Sequence, residues 1–136
     1  MNKSITQAEV TNYIQEWFEQ MDTMPASSDF FTLRLTDDIK WISPGFCFDG
    51  KEHFDDFLQG ARAMIKPNCK HTVEHMVIRE TDGYCEAILS MHMVGQSFED
   101  SEFKGQPLDL RSKEVWRFVR DTSNQIKMSK CVIEVA

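Results

Sequence analysis

The sequence predicts an α+β fold in which N-terminal helices lie across one face of a bent antiparallel sheet. In the first half of the chain, apolar residues recur at the spacing that is typical of helices. Beyond Pro67 they recur at alternate positions almost to the end, as they do in strands. The segment 37–45, Asp-Asp-Ile-Lys-Trp-Ile-Ser-Pro-Gly, marks the change, with one further helical pattern directly after it. Helices followed by strands indicate one α+β layer packing.

The length and the charge of the chain narrow the class of protein. Its 136 residues predict a single domain, 1–136, that is large enough to bury a core. The formal net charge of −7 argues against nucleic acid as a partner, since phosphate binding needs clustered Lys and Arg. The same acidity argues against anionic membrane surfaces, and no apolar run is long enough to span a bilayer.

The cysteines and the first residues predict a cytoplasmic protein. Cys47, Cys69, Cys85 and Cys131 are widely spaced and contain no Cys-x-x-Cys pair. We therefore expect free thiols in a reducing compartment rather than disulfides. The segment 1–6 leads into a polar helix and has no apolar run typical of a signal peptide.

Three helices are predicted before Pro67. Thr6 and Glu9 form a capping box at the start of the first helix. Its apolar stripe comprises Val10, Tyr13, Ile14, Trp17, Phe18 and Met21. Residues 30–35 form a short second helix, with a strand as the alternative. The third helix opens near Gly50 and places on one face Phe54, Phe57, Leu58, Ala61 and Ile65.

The strands are bounded by turn residues. Asp37 and Asp38 turn the chain into a short strand, 39–42, which Pro44 stops because proline lacks the ladder donor. Residues 46–50 then form a loop. Four long strands are predicted at 70–80, 84–95, 108–120 and 125–135. Their connections are an Asp-Gly turn at 81–83, a polar segment at 96–107 and a tight turn at 121–124.

The order of these motifs resembles the nuclear transport factor 2-like superfamily, in particular its SnoaL-like and ketosteroid-isomerase-like branches. The resemblance covers nearly the whole chain and depends on the opening amphipathic helix and on five further segments, 36–45, 50–54, 70–75, 105–107 and 114–118. It implies a cone-shaped α+β barrel, with a curved sheet wrapped around three helices and a pocket at the open end. Members often form homodimers through the outer sheet face. The superfamily includes isomerases, cyclases, dehydratases and non-catalytic binding proteins, so the fold alone fixes no reaction.

The third long strand carries the main candidate for catalysis. Ser112, Glu114, Trp116 and Phe118 alternate onto its apolar face, which we expect to line the pocket. Burial among aromatic rings would raise the pKa of Glu114 and make it a proton donor. In ketosteroid-isomerase-like enzymes an acid at this strand position helps to hold the oxyanion. The alternative is a glutamate that pairs with a neighbouring His or Arg, or that faces outward.

Other positions depart from the patterns of catalytic relatives. Ketosteroid-isomerase-like enzymes carry a general-base Asp before the proline of the first-strand motif, where this chain has Ser43. A hydroxyl is a poor base, so steroid isomerisation is not expected. SnoaL-type cyclases use an acid on the last strand, where only Glu134 lies close to the chain end.

Two histidines on the first long strand are candidate proton partners of Glu114. His71 and His75 belong to a His-x-x-Glu-His run, a zinc-protease pattern that needs a helix to bring both rings together. The β-branched residues around them favour a strand, on which the two rings share one face about 13 Å apart. They cannot share one metal ion at that distance, so we expect no metal site. Exposed histidines are the alternative.

The remaining candidates are apolar residues that would wall the pocket. They are Tyr13, Trp17, Trp41, Met91, Trp116 and Phe118. For Met91 the alternatives are ordinary core packing and a soft lining around an apolar ligand. We expect a homodimer that binds a small apolar molecule without a cofactor. One hypothesis is an enzyme with isomerase, cyclase or dehydratase chemistry on a carbonyl or polyketide-like compound. The other is a non-catalytic ligand-binding or interaction module.

Overall fold

The computed structural model describes residues 4–81 and 83–136, which form three helices and one six-stranded sheet. The helices are α1 Gln7–Asp22, α2 Asp29–Thr32 and α3 Phe54–Met64, the last preceded by a 3-10 turn at Lys51–His53. The strands are β1 Leu35–Ser43, β2 Phe46–Asp49, β3 Lys70–Thr81, β4 Tyr84–Gln96, β5 Pro107–Arg120 and β6 Ile126–Val135. The Asp-Gly turn predicted at 81–83 includes Asp82, which lies outside the described residues.

The first helix forms as predicted because its N-terminus is capped and one face is apolar. The Thr6 hydroxyl accepts the Glu9 amide at 3.1 Å, and the Glu9 carboxylate accepts the Thr6 amide at 3.1 Å. All six residues of the predicted stripe are buried. The stripe packs on the concave face of the sheet, where Tyr13 meets Phe118 with ring centroids 4.9 Å apart.

The sheet has the strand order β2-β1-β6-β5-β4-β3 and is curved without closing. The four C-terminal strands form the predicted antiparallel meander. The prediction of an entirely antiparallel sheet is wrong in one place, since β1 pairs with β6 in parallel. Both strands run in the same direction there because a long crossover, through α3 and the meander, separates them in sequence.

The segment before α3 contains more strand than the sequence predicted. β1 begins at Leu35 rather than at residue 39, so Asp37 and Asp38 lie within the strand and not in a turn before it. They are exposed, and the register of β1 against β6 shifts between Leu35 and Lys40. The extra residues of this irregularity carry the two carboxylates outward to water.

The predicted loop at 46–50 is instead the second strand of a hairpin. Pro44 and Gly45 connect β1 to β2, and Gly45 has φ +77°, a conformation that glycine adopts at little cost. The Ser43 hydroxyl donates to the Phe46 carbonyl at 2.6 Å and closes the turn. β2 is only four residues long, which is why its alternation is too short to recognise.

Among the described residues, no helix is both long enough and apolar enough to cross a membrane. The four cysteines all lie in the described part of the chain and are free thiols.

Candidate functional site

A cavity of about 200 Å³ lies between α1, α3 and the concave face of the sheet. Five aromatic rings line it, from Trp17 and Phe18 on α1, Trp41 on β1, Phe57 on α3 and Trp116 on β5. Methionines from α1 and β4 and several aliphatic side chains also contribute to the lining. A mostly apolar cavity with few polar groups is the usual form of a small-molecule site.

Glu114 is the buried carboxyl group of this wall. Only 3% of the residue is exposed. Its two oxygens contact the Ser112 hydroxyl at 2.8 Å and the indole N–H of Trp116 at 2.9 Å. Burial raises the pKa of Glu114, although the hydrogen bonds from Trp116 and Ser112 oppose the rise. Within residues 4–81 and 83–136, no cation lies within ion-pair distance of this carboxyl group.

The geometry of β5 places Glu114 in the wall. Ser112, Glu114, Trp116 and Phe118 are buried in alternation, and Arg111, Lys113, Val115 and Arg117 are more exposed between them. The two hydrogen-bond donors to the carboxyl group sit two residues before and two residues after it on the same face. The strand thus supplies both the acid and the neutral groups that hold it.

His71 lines the same cavity from the start of β3. Its Nδ1 lies 2.7 Å from the Asp22 carboxylate, which also accepts the His71 backbone amide at 2.8 Å. The imidazole ring stacks on Phe18, with centroids 5.1 Å apart and an interplanar angle of 12°. Burial lowers the pKa of His71, and the hydrogen bond that the ring makes to the Asp22 carboxylate partly opposes that change.

His75 does not join this site in the structure. The register of β3 against β4 shifts between Val73 and His75, so Val73 and Met76 are partly buried while His75 is exposed. The expectation that His71 and His75 share one face is therefore wrong, because a bulge adds a residue between them and reverses the alternation. His75 is not among the residues that line the cavity.

The predicted wall residues divide into two groups. Trp17, Trp41, Met91 and Trp116 line the cavity. Tyr13 and Phe118 are buried in the core beneath it and are not part of its lining. The Tyr13 hydroxyl donates to the Arg34 backbone carbonyl, and burial raises its pKa well above the ordinary value.

Sequence reasoning missed several residues of the site. Phe18 belongs to the predicted stripe of α1 but was assigned only to the core, and Ser112 was placed on the correct face without a role. Asp22 follows the last apolar residue of the stripe, and its contact with His71 joins positions 49 residues apart. Only the local alternation on β5 could have identified Ser112 from the sequence.

One hydroxyl group and one acid that the sequence analysis considered lie outside the cavity. The Ser43 hydroxyl is used in the β1–β2 turn. Glu134 is exposed at the end of β6 and does not line the cavity.

One group of three side chains in the described part of the chain is close enough to share a metal ion. Ligand atoms of Asp22, Cys69 and His71 lie within 4.8 Å of one another. Burial and the nearby Asp22 raise the pKa of the Cys69 thiol to about 11, and the thiol lies 3.7 Å from the Asp22 backbone carbonyl. Each group already has a hydrogen-bond partner inside the cluster, so we interpret it as a tie between α1 and β3 that orients the histidine ring.

No protein-family model matches the sequence, and no curated protein is similar to it. Solved structures do resemble it. A nuclear transport factor 2-like superfamily protein from Salmonella enterica serovar Typhimurium has a TM-score of 0.79 and 10% identity, over 94% of this chain and 89% of that one. The CaMKII hub of S. rosetta has a TM-score of 0.77 and 14% identity, over 98% and 99% of the two chains.

A protein from Catenulispora acidiphila, solved in complex with S-DNPA, has a TM-score of 0.71 and 15% identity, over 94% of this chain and 91% of that one. These similarities show that the chain has the nuclear transport factor 2-like fold, as its motifs predicted. The fold is therefore established, while the activity must be argued from the cavity itself.

Proposed function

We propose that the protein binds a small, largely apolar organic molecule in the cavity and catalyses cofactor-independent acid–base chemistry on a carbonyl or polyketide-like compound. One observation carries the proposal. Glu114 is a carboxyl group in an apolar wall, with a raised pKa and only neutral hydrogen-bond partners. A carboxylic acid that stays protonated in such a site can donate a hydrogen bond to a ligand oxygen.

The two titratable groups face the ligand from different strands. His71 pairs with Met93 on β4, and Glu114 pairs with Leu89 on the same strand. A flat sheet would separate their Cα atoms by about 10 Å across the strands and about 13 Å along them. The curvature of this sheet brings the two side chains closer together over its concave face, where both line the same cavity. Phe18 packs on both His71 and Trp116. We therefore assign Glu114 as the acid at one side of the ligand and His71 as the proton acceptor at the other.

The alternative is a non-catalytic module of the same fold. One of the similar solved structures is a CaMKII hub, and its likeness to this chain supports an interaction role as the alternative. The Catenulispora acidiphila structure in complex with S-DNPA supports the occupation of such a fold by an organic molecule. The two alternatives differ in whether a bound ligand exchanges protons at the site of Glu114 and His71.

We also propose that the protein is a homodimer formed through its convex sheet face. Five β-branched residues pair in register across five strands, and we call them the outer aliphatic row: Val77, Ile88, Val115, Val132 and Ile42. Val77 is 61% exposed and Ile42 is 36% exposed. An apolar row of this length on a convex face is a candidate for burial against a second copy.

The charges around the outer aliphatic row are compatible with self-association. Opposite charges alternate there, and Arg117 pairs with Glu86 at 3.2 Å while Arg111 pairs with Glu74 at 3.2 Å. Two such faces would meet without a large excess of one charge. The four free thiols support the proposal that the protein works in the reducing cytoplasm.

The proposed function can be tested with 2-tetralone, an aromatic ketone with acidic protons next to the carbonyl group. We expect the protein to bind it and to accelerate exchange of those protons for deuterium, measured by NMR in D₂O. Glu114→Gln should lower the exchange rate by about 100-fold or more, because general acid catalysis contributes that much. Glu134→Gln is the matched control on the neighbouring strand and should leave the rate unchanged.

The outcomes separate the alternatives. Binding without accelerated exchange would favour the non-catalytic module. Failure of the wild-type protein to bind this ketone or a series of related aromatic ketones would overturn the assignment of the cavity. Melting temperatures of both variants show whether the fold is intact.

A further inference from the structure

Two histidine–aspartate pairs in this chain use different ring nitrogens. Nδ1 of His71 contacts Asp22 at 2.7 Å, on the buried side of β3. Nε2 of His92 contacts Asp109 at 2.5 Å, on the exposed face of the sheet. A carboxylate can only accept a hydrogen bond, so the nitrogen beside it must carry the proton. The two neutral rings are therefore expected to be opposite tautomers.

The Asp22 carboxylate is itself fixed in place. The same oxygen that faces Nδ1 accepts the His71 backbone amide at 2.8 Å. The Asp22 backbone carbonyl accepts the Asn68 amide at 2.8 Å, which joins the end of α1 to the start of β3. Stacking on Phe18 limits rotation of the ring. The ring orientation thus follows from two contacts, the hydrogen bond of Nδ1 with Asp22 and the stacking on Phe18.

The ring also stands between two open spaces. His71 and Phe18 line the apolar cavity, and the same two residues line a groove between α1 and β3. Asp22 lines only the groove. The Nδ1 edge therefore faces the groove side, and the opposite edge of the ring, which carries Nε2, is left for the cavity. Within the described residues, the hydrogen bond between the ring and the protein is made by Nδ1.

We infer that Asp22 is a positioning residue, which holds His71 as the neutral Nδ1–H tautomer so that the Nε2 lone pair is the proton acceptor of the cavity. Its use in catalysis rests on the proposed function, whereas the tautomer itself does not. Asp22 then acts on the ligand only through His71.

The proton balance of the step is simple. A proton next to the ligand carbonyl bonds to Nε2, and its electron pair stays on the ligand as an enolate. Glu114 donates a hydrogen bond to the enolate oxygen and keeps its proton. The imidazolium is stabilised by Asp22, it exchanges its proton for a deuteron of D₂O, and it returns that deuteron to the ligand carbon. Other charged groups near the ring are Glu19 and Lys70 in the groove. Arg111 contributes to the cavity lining, but its side chain pairs with Glu74 on the convex face of the sheet.

The tautomer can be read directly in the free protein. Long-range ¹H–¹⁵N NMR of uniformly labelled protein near neutral pH distinguishes a protonated from an unprotonated ring nitrogen. We expect His71 as the Nδ1–H form and His92 as the Nε2–H form in the same spectrum. Finding His71 as Nε2–H, or as an imidazolium at neutral pH, would overturn the inference.

Substitutions of Asp22 test whether this residue determines the tautomer of His71. Asp22→Ala should shift His71 toward the Nε2–H form that free histidine prefers, and Asp22→Glu should keep the Nδ1–H form. Asp109→Ala is the matched control and should leave His71 unchanged. An unchanged His71 tautomer in Asp22→Ala would show that Asp22 does not set it. If Asp22→Ala does not fold, the wild-type spectrum and Asp22→Glu still decide the question.

Titration with 2-tetralone separates this inference from the proposed function. We expect the bound ketone to shift the Nε2 resonance of His71 and not that of His92. A correct tautomer with no shift of Nε2 would leave Asp22 as the residue that orients His71 but would remove His71 from the ligand site.

Discussion

The two faces of the sheet give carboxyl groups opposite surroundings, apolar on the concave face and charged on the convex face. On the concave face, Glu114 is buried beside neutral donors, and burial raises its pKa. On the convex face of the same strand, Arg117 lies 3.2 Å from Glu86 and over the ring of Tyr84. Water and opposite charges surround the outer carboxylates, whereas the dry inner wall favours the protonated form of Glu114.

This difference in surroundings is the reason for proposing a separate role for each face of the sheet. A carboxylic acid that stays protonated is useful only where a ligand excludes water, and the cavity is on that side of the sheet. The outer face presents an apolar row bordered by ion pairs. We therefore assign the proposed ligand chemistry to the inside of the curved sheet and the proposed association to its outside.

The largest expected difference between the faces is in stability. Leu89 and Ile88 are neighbours on β4, and only 1% of Leu89 is exposed while Ile88 is partly exposed on the outer face. Leu89→Ala should lower the free energy of unfolding by about 2–5 kcal/mol, because it leaves a cavity in the core. Ile88→Ala should cost less, and urea unfolding of both variants measures the difference. Equal costs would contradict the distinction between the faces.

The next expected effect concerns the dimer. Val77→Asp places a charge on the outer aliphatic row and should weaken self-association at least tenfold, measured by sedimentation. Leu33→Asp is the matched control, since Leu33 is 67% exposed and Val77 is 61% exposed, but Leu33 lies outside the row. A monomeric wild-type protein, or equal effects of both substitutions, would exclude this face as the interface.

Much of this architecture could be predicted because its signals are local. Alternation along β5 identified the inner face that carries Glu114, and the stripe of α1 identified the buried side of that helix. Both patterns depend only on neighbouring residues and on the geometry of one element. The same pattern made Trp17, Trp41 and Trp116 candidates for the cavity wall.

The parts that could not be predicted depend on contacts distant in sequence. The parallel pairing of β1 with β6 joins the N-terminal hairpin to the C-terminal meander, and no short segment encodes it. The bulge in β3 moves His75 to the exposed face without any local marker such as glycine. Asp22 reaches His71 only because α1 ends beside the start of β3. The sequence thus predicted several individual residues of the candidate site, but it did not predict which of them lie together in the fold.

The smallest expected effect is a contrast in pH dependence between Glu114 and Glu9. Burial raises the pKa of Glu114 above 4.5, so the folded chain holds this proton more tightly than the unfolded chain. The stability that protonated Glu114 provides is therefore present below pH 4.5 and is lost as the pH rises through the raised pKa. Glu114→Gln should become relatively more stable over that rise, by at most about 1.4 kcal/mol per pH unit.

Glu9 should show the opposite sign. Its hydrogen bond with Arg120, at 2.6 Å, lowers the pKa of Glu9 from 4.5 to about 2. The stabilisation is present above pH 4.5 and is lost as the pH falls toward 2, so the cost of Glu9→Gln should disappear over that range. Urea unfolding of both variants across the acidic range measures the two slopes. If the stability of Glu114→Gln changed with pH in the same direction as that of Glu9→Gln, Glu114 would be an ionised structural carboxylate. The inner wall would then not hold the protonated acid that the proposed function requires.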